Sequence, residues 1–183
     1  ETATKRLQQS GLGGMQFQKG NVLDLPIEDD SIDFVFSNGV IHHTESIEKG
    51  ITEIARVMKP GGLGWLYIIE QPGGLHWDMV ELLRNLMCPV DQTYARTMFK
   101  LLGVPTNRVF YMLDHVMVPV NTRSTPEEVE TALTKAGLKD ITRLTRGADF
   151  DRAEFIHTVK DTLSPDAIRW KWGVGENRYI FSK

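Results

Sequence analysis

Residues 15–70 constrain the fold of this 183-residue chain most strongly, because short apolar runs alternate there with one helical pattern. Met15 and Phe17 alternate with glutamines, which is the period of a half-buried strand. Residues 32–36 form a nearly continuous apolar run between polar turn residues. This run predicts a second strand that is covered on both faces.

A helix and a third strand follow the second strand. Thr44 or Ser46 is available as the N-cap of the helix, and Pro-Gly-Gly at residues 60–62 is expected to stop it and form a tight turn. The third strand is predicted over residues 65–69. The apolar positions of the helix recur at helical spacing: Ile47, Ile51, Ile54, Ala55 and Met58. A strand, helix and strand in this order form a right-handed crossover unit, which builds a parallel sheet.

The pattern therefore predicts an α/β fold with a doubly wound, mostly parallel sheet. In open sheets of this kind, ligands bind in the crevice at the carboxyl ends of the strands. The loops at residues 20–26, 37–44 and 70–74 are the predicted binding loops.

Two strings carry a resemblance to a known family: GNVLDLPIEDDSIDFVFSNGVIHH from Gly20 and EIARVMKPGG from Glu53. Together they resemble the core of class I S-adenosylmethionine-dependent methyltransferases, in the group that includes quinone-biosynthesis and many small-molecule enzymes. The resemblance covers residues 1–70 and returns at the C-terminal end, where TPEEVETALTKAGL and ENRYIFSK are similar to the last helix and last strand of that Rossmann-like fold.

The resemblance implies S-adenosylmethionine as the cofactor. Asn21 stands where family members usually have an aspartate that accepts a hydrogen bond from the adenine amino group, and an asparagine carbonyl can also accept that bond. Val22 is implied to offer its backbone N–H to the adenine ring. Ser37, Asn38 and Gly39 resemble the segment that passes the methionine end of the cofactor.

Other interpretations of the polar residues stay open. Asn21 follows a glycine, which is also typical of a turn residue. His42 and His43 follow the second strand, where one of them is a candidate to orient an acceptor or take its proton. Adjacent residues of an extended segment point opposite ways, so only one can do so. In the resembled group the second histidine often recurs, so His43 is the candidate catalytic residue, and a structural role for it stays open. The histidines and Cys88 have no metal-ligand spacing, so no metal site is expected.

Two strands of the resembled fold have no counterpart. Family members order their sheet 3-2-1-4-5-7-6, and their strands 1 and 2 lead into the glycine-rich loop and the acidic residue that hold the cofactor. Here a helical pattern at residues 1–9 leads directly into the strand at Met15. The Gly-Leu-Gly-Gly at residues 11–14 follows a helix and opens a strand, which is the reverse of a cofactor loop.

The strand at residues 32–36 is therefore expected to have an unpaired apolar edge, which invites pairing with another chain. Three states are predicted from this edge. The chain is a fragment of a longer polypeptide, or its first two strands pair directly, or it forms a homodimer through the exposed edge.

Residues 71–124 are expected to form a helical insertion, or cap, within a single partial domain of residues 1–183. Two amphipathic helices are predicted at residues 79–87 and 94–102, whereas residues 108–120 fit a helix or a strand. In the resembled group such an insertion lies over the pocket mouth and sets substrate selectivity. The alternative is that these helices cover the sheet or a subunit interface.

The last third of the chain is expected to complete the sheet. A capping box at residues 125–128 opens a helix. Strands are predicted at residues 141–144 and 179–181, and the resemblance implies that the last one is antiparallel and inserted beside the third strand. Between them lie a charged loop at 146–151, either part of an acceptor site or solvated, and a helix at 153–163.

Composition limits the kinds of partner and the location that are expected. A net charge of −3 gives no electrostatic reason to expect nucleic acid or an anionic membrane. The single cysteine excludes an intrachain disulfide and favours a reducing compartment. Because no apolar run approaches the roughly 20 residues of a membrane span, a cytoplasmic location is expected.

The expected function is the transfer of a methyl group from S-adenosylmethionine to a small-molecule acceptor, by this chain as part of a longer or complemented one. The alternative is a degenerate, non-catalytic module of the same fold that serves as a binding or scaffold subunit. A nicotinamide-dependent dehydrogenase ranks third, because it also requires the glycine-rich loop.

Overall fold

The computed structural model describes residues 2–11, 14–69, 74–144, 163–172 and 177–183. Its strands are β1 (Ile32–Asn38), β2 (Met58–Ile68), β3 (Lys139–Arg143) and β4 (Asn177–Ser182). They form one sheet in the order β1-β2-β4-β3, in which β1 and β2 are parallel and β4 is antiparallel to both neighbours. The predicted α/β architecture is confirmed, including the antiparallel last strand between the third strand and the strand near residue 141.

The described helices lie before, between and after these strands. They are α1 (Thr2–Ser10), α2 (Ile47–Val57), α3 (Leu75–Met87), α4 (Gln92–Leu101), α5 (Thr106–Met117), α6 (Pro126–Lys135) and α7 (Pro165–Trp172), with a short 3-10 turn at Ile41–His43. α2 and α6 pack against one face of the sheet. The core between them includes Ile51, Ile54, Leu66, Leu133 and Tyr179.

The predicted helix starts are confirmed in atomic detail. The Ser46 hydroxyl caps α2 by accepting a hydrogen bond from the Lys49 N–H at 3.1 Å. In the capping box of α6, the Thr125 hydroxyl accepts from the Glu128 N–H, and the Glu128 carboxylate accepts from the Thr125 N–H. Each cap satisfies backbone donors that the first turn of a helix leaves without partners.

The predicted first strand is wrong. Residues 15–18 are not in a strand, and Met15 and Phe17 are 51% and 56% exposed. A strand needs a neighbouring backbone to pair with, and no described strand pairs with this segment. The suggested direct pairing of the first two predicted strands is therefore also wrong.

β1 is an edge strand with one open face. Phe34 and Phe36 are 57% and 62% exposed, so the prediction of a strand covered on both faces is wrong. Leu63 and Trp65 lie opposite them on β2, and Ile180 lies opposite Trp65 on β4. The other face of the sheet packs on α2 and α6, whereas no described helix covers this one.

Residues 60–62 end no helix and form no tight turn, because α2 already stops at Val57 and β2 begins at Met58. Instead they sit in a bulge of β2, where the register to β1 shifts between Met58 and Leu63. Gly61 has a φ of +79°. Its N–H donates to the Lys183 carbonyl at 2.8 Å, so the glycines join the bulge to the C-terminal residue.

The helices within the predicted insertion share a small core of their own. α5 packs against α3 and α4 around Ala95, Val109 and Leu113. The ambiguous residues 108–120 are thus mostly helical. The predicted charged loop at 146–151, all but the last residue of the helix predicted at 153–163, and residues 70–73 of the third binding loop lie outside the described residues. Among the described helices, none is long and apolar enough to cross a membrane.

Gly64 tests the packing between β2 and β4. A Cβ at this position would lie 2.0 Å from Cε2 of Phe181, so we expect Gly64→Ala to destabilise the fold by about 1–3 kcal/mol through overpacking. Urea unfolding would measure the change. Phe181→Leu makes room for the methyl group, so the double variant should lose less stability than the sum of the single variants. Strictly additive losses would contradict this account.

Candidate functional site

Two predicted binding loops meet over the N-terminal half of α2. Leu23, from a turn at residues 21–24, and Ile41, from the 3-10 turn, are both buried. A Cβ at Gly50 would lie 3.0 Å from Cγ2 of Ile41 and 3.6 Å from Cδ2 of Leu23. The absence of a side chain at Gly50 therefore lets both loops approach the helix, and the loops predicted at 20–26 and 37–44 lie side by side.

A charged clamp holds the first loop on α2. The Glu53 carboxylate accepts a hydrogen bond from the Leu25 N–H at 2.9 Å. Arg56 donates to the carbonyls of Leu25 and Ile27 at 3.0 and 2.8 Å, and to Glu53 itself. The hydrogen bond from Arg56 lowers the pKa of Glu53. The loop is therefore fixed by backbone contacts to two ionised side chains.

Asn21 serves the turn in which it lies. Its Oδ1 accepts a hydrogen bond from the Leu23 N–H at 3.0 Å, and its backbone carbonyl accepts one from the Asp24 N–H at 3.0 Å. This is the turn role that the sequence left open. An amide oxygen has two lone pairs, so the adenine-binding role implied for Asn21 stays a prediction. Val22 is half-buried against the main core.

Ser37, Asn38 and Gly39 lie at the carboxyl end of β1, as predicted. Ser37 is 8% exposed, and its hydroxyl has no hydrogen-bond partner among the described residues. Asn38 is exposed. Gly39 has a φ of +70°, a conformation that favours glycine, and its N–H donates to the Tyr67 carbonyl at 3.1 Å. The Ser37 hydroxyl is therefore a buried polar group whose partner the described residues do not supply.

His42 is buried and structural. The Ile69 N–H donates to its Nδ1 at 3.2 Å, so Nδ1 carries no proton and the neutral ring is protonated at Nε2. Burial lowers the pKa of His42 to about 3, and the neighbouring His43 adds to the effect. His42 is therefore neutral at physiological pH and is unsuited to accept a proton.

In His43 the other ring nitrogen, Nδ1, carries the proton. Its Nδ1 lies 2.9 Å from the Val120 carbonyl oxygen. A carbonyl can only accept a hydrogen bond, so Nδ1 must carry the proton and Nε2 of the neutral ring keeps a lone pair. Of the two adjacent histidines, only His43 thus has an unprotonated Nε2 in its neutral ring.

The segment of residues 118–124, between α5 and α6, closes this end of the sheet. Besides the Val120 contact, the Thr122 N–H donates to the His42 carbonyl at 2.9 Å, and the Asn177 side chain donates to the Ser124 carbonyl at 2.6 Å. Both polar atoms of the Asn121 amide are buried without a partner among the described residues. Sequence reasoning missed this segment, because it has no periodic pattern and follows the insertion in the chain.

A polar and aromatic row crosses the carboxyl end of the sheet beside Gly39. Asn38 lies opposite Tyr67 on β2, and Tyr67 lies opposite Arg178 on β4. The guanidinium carbon of Arg178 is 4.7 Å from the centre of the Tyr67 ring. This row was also missed, because it joins residues more than 100 positions apart. Among the described residues, no group of acidic, histidine and cysteine side chains could hold a metal ion.

Comparison with known proteins agrees with the fold. Residues 1–66 match the family model of a methyltransferase domain. An uncharacterized methyltransferase of Bacillus subtilis is 36% identical over 62 residues, which cover 34% of this chain and 24% of that protein. A protein of Encephalitozoon cuniculi described as a methyltransferase is 42% identical over 118 residues, which cover 56% of each chain. Both alignments span less than two thirds of the relative.

Solved structures share the fold. Phosphoethanolamine N-methyltransferase 2 of Haemonchus contortus, in complex with phosphomonomethylethanolamine and S-adenosylhomocysteine, superposes with a TM-score of 0.54 at 17% identity. The superposition covers 98% of this chain and 39% of that one. Residues 1–66 thus match a methyltransferase domain, and the fold of the described residues is shared with solved methyltransferase structures.

The buried His42 predicts a pH-dependent stability. Below about pH 6.5 the unfolded chain takes up a proton at this residue, whereas the folded chain does so only near pH 3. The free energy of unfolding should therefore fall as the pH drops through this window, by up to about 1.4 kcal/mol per pH unit.

Urea unfolding at pH 7 and pH 5 would measure this dependence. His42→Asn keeps an acceptor near the Nδ1 position but does not titrate, so its stability should change less between the two pH values. An equal loss of stability in both proteins would show that His42 does not carry the effect.

Proposed function

We propose that this chain binds S-adenosylmethionine at the carboxyl ends of β1 and β2 and takes part in methyl transfer to a small-molecule acceptor. The buried, unpartnered Ser37 hydroxyl beside the glycine turn at Gly39 carries the proposal. The family match over residues 1–66 supports it. Because the matched relatives are longer than the aligned part, the complete activity is proposed for this chain together with further domain residues.

The binding roles are divided between the two loops. Ser37, Asn38 and Gly39 are proposed to hold the methionine end, and Asn21 and Val22 the adenine. The Arg56–Glu53 clamp and the close packing over Gly50 keep these loops together. When bound, S-adenosylmethionine supplies an activated methyl group, so the protein's own work is alignment, exclusion of water and removal of a proton where the acceptor needs it.

His43 is proposed as the base for an acceptor that must lose a proton, such as a hydroxyl or a carbon acid. Nε2 takes the proton, while the Val120 carbonyl holds Nδ1–H and stabilises the resulting imidazolium. The same contact orients the ring through the 118–124 segment. Asn121, with both amide atoms unpartnered, is a candidate to bind the acceptor beside it.

A non-catalytic scaffold module is the second candidate, because one observation favours it. The edge strand β1 and the open face that carries Phe34, Phe36 and Leu63 offer a surface for a second copy of the chain. In this reading the fold supports a homodimer, and the loops at the carboxyl ends of the strands bind no cofactor.

Calorimetric titration with S-adenosylhomocysteine separates the two candidates. We expect binding by the purified chain, and a roughly tenfold weaker affinity for Gly39→Ala, because a side chain strains the positive φ and shifts the turn that faces the ligand. Gly103→Ala is the matched control, since Gly103 has a similar φ of +76° at the end of α4, far along the chain.

If the chain is a methyltransferase, the Gly103→Ala control should bind S-adenosylhomocysteine as tightly as the unsubstituted chain does. Equal weakening in both variants would attribute the effect to general destabilisation. No binding by the unsubstituted chain, together with a dimer in light scattering, would favour the scaffold.

Substitution of His43 should slow methyl transfer without weakening cofactor binding. With an acceptor found by screening, His43→Ala should lower kcat about 100-fold or more while the affinity for S-adenosylhomocysteine stays unchanged. His43→Asn can still bond the Val120 carbonyl but has no Nε2, so it should be as slow as His43→Ala. If His43→Asn kept near-normal turnover, His43 would only position the 118–124 segment.

A further inference from the structure

Arg84 on α3 holds the C-terminal end of α5. Its Nη1 donates to the His115 carbonyl at 2.9 Å, and its Nη2 donates to the Val118 carbonyl at 3.2 Å. The last turn of an α-helix leaves its carbonyls without partners inside the helix, so Arg84 supplies donors that α5 itself lacks. The two bonds therefore fix the point at which the chain leaves α5 and enters the 118–124 segment.

The backbone from Val118 to Val120 is short and stiff. Val118 is extended, with a φ of −68° and a ψ of 139°. Pro119 follows it, and a proline ring fixes its own φ and restricts the preceding residue to extended conformations. Two residues of extended chain span roughly 7 Å. The position of the Val118 carbonyl therefore largely determines the position of the Val120 carbonyl.

Val120 carries this constraint to His43. Its carbonyl oxygen lies 2.9 Å from Nδ1 of His43. In a neutral histidine, the hydrogen bond made by one ring nitrogen decides which nitrogen carries the proton. The tautomer of His43 therefore depends on where the Val120 carbonyl is held, and a continuous series of contacts joins α3 to the candidate base.

A second contact from α3 holds the same segment beyond Val120. Nη2 of Arg123 forms an ion pair with Oε1 of Glu81 at 2.7 Å. The guanidinium carbon of Arg123 is 4.7 Å from the centre of the Trp77 ring, and the Arg123 side chain is only 10% exposed. The segment is therefore held against α3 on both sides of Val120.

We propose that Arg84 is a positioning residue for His43. By holding the start of the 118–124 segment, it places the Val120 carbonyl where the proton stays on Nδ1 and Nε2 keeps its lone pair. The proposal rests on the proposed function, in which this lone pair takes the proton of the acceptor. If Arg84 served only as a C-terminal cap of α5, its loss would lower stability and leave the His43 tautomer unchanged.

Nitrogen NMR of the imidazole rings tests the proposal without cofactor or acceptor. Long-range proton–nitrogen correlation spectra distinguish the two neutral tautomers at about pH 8.5, where an ordinary histidine is neutral. The His43 signals are those that disappear in His43→Asn. We expect mainly the Nδ1–H tautomer in the unsubstituted chain. Arg84→Met keeps the apolar stem but has no donors, so we expect a mixture of both tautomers in this variant.

Pro119→Gly is a second test that does not remove the Arg84 hydrogen bonds. Pro119 is exposed, so its ring is not needed for packing, whereas glycine removes the stiffness between the two held carbonyls. We expect the same mixture of His43 tautomers. The matched controls are Arg96→Met on α4 and Pro89→Gly between α3 and α4, both at exposed positions. Both controls should keep the Nδ1–H tautomer.

Circular dichroism would confirm that each variant is folded. An unchanged His43 tautomer in Pro119→Gly, or in a folded Arg84→Met, would overturn the proposal and leave Arg84 as a cap of α5. A mixture in the unsubstituted chain or in the controls would also overturn it, because the tautomer would then not depend on the contacts of α3 with the segment.

Turnover separates this proposal from the proposed function. With an acceptor found by screening, Arg84→Met should lower kcat roughly tenfold or more, because a displaced Nε2 is out of line with the proton that it takes. The affinity for S-adenosylhomocysteine should stay within about twofold. If no form of the chain turned over, while both variants still lost the ordered tautomer, the positioning role of Arg84 would be supported and the proposed function contradicted.

Discussion

The parallel pairing of β1 with β2 is the constraint on which the candidate site depends. Parallel strands end at the same edge of the sheet, so the turn after β1 and the first residue after β2 must lie together. The hydrogen bond from the Ile69 N–H to His42 is the direct result. That bond fixes the protonation of His42 and, through the shared turn, the position of His43.

The rest of the site is built onto this edge by contacts from distant parts of the chain. Arg56 and Glu53 hold the loop at residues 23–29, and the 118–124 segment bonds to both histidines. Each contact uses a backbone group that would otherwise be left without a partner, so the loops are ordered by hydrogen-bond satisfaction as well as by packing. At this end of the sheet the Ser37 hydroxyl, the Asn121 amide and Oδ1 of Asn177 remain buried without a partner among the described residues.

Sequence patterns predicted the elements whose signals are local. The apolar spacing of α2, the Thr125 capping box and the carboxyl-end position of Ser37 to Gly39 all depend on residues close together in the chain. The prediction of a strand at Met15 was wrong, because apolar alternation alone does not show that a neighbouring strand is there to pair with. The contact of His43 with Val120, and that of Tyr67 with Arg178, join residues about 80 to 110 positions apart. Single-sequence periodicity carries no information on such contacts.

The central claim is that the loops at residues 20–26 and 37–44 form one ligand-binding site. Hydrogen exchange measured by mass spectrometry, with and without saturating S-adenosylhomocysteine, tests it most directly, because bound ligand slows local opening. The account predicts slower exchange in both loops together, with no change over residues 92–113. Protection of only one loop, or of neither, would contradict it.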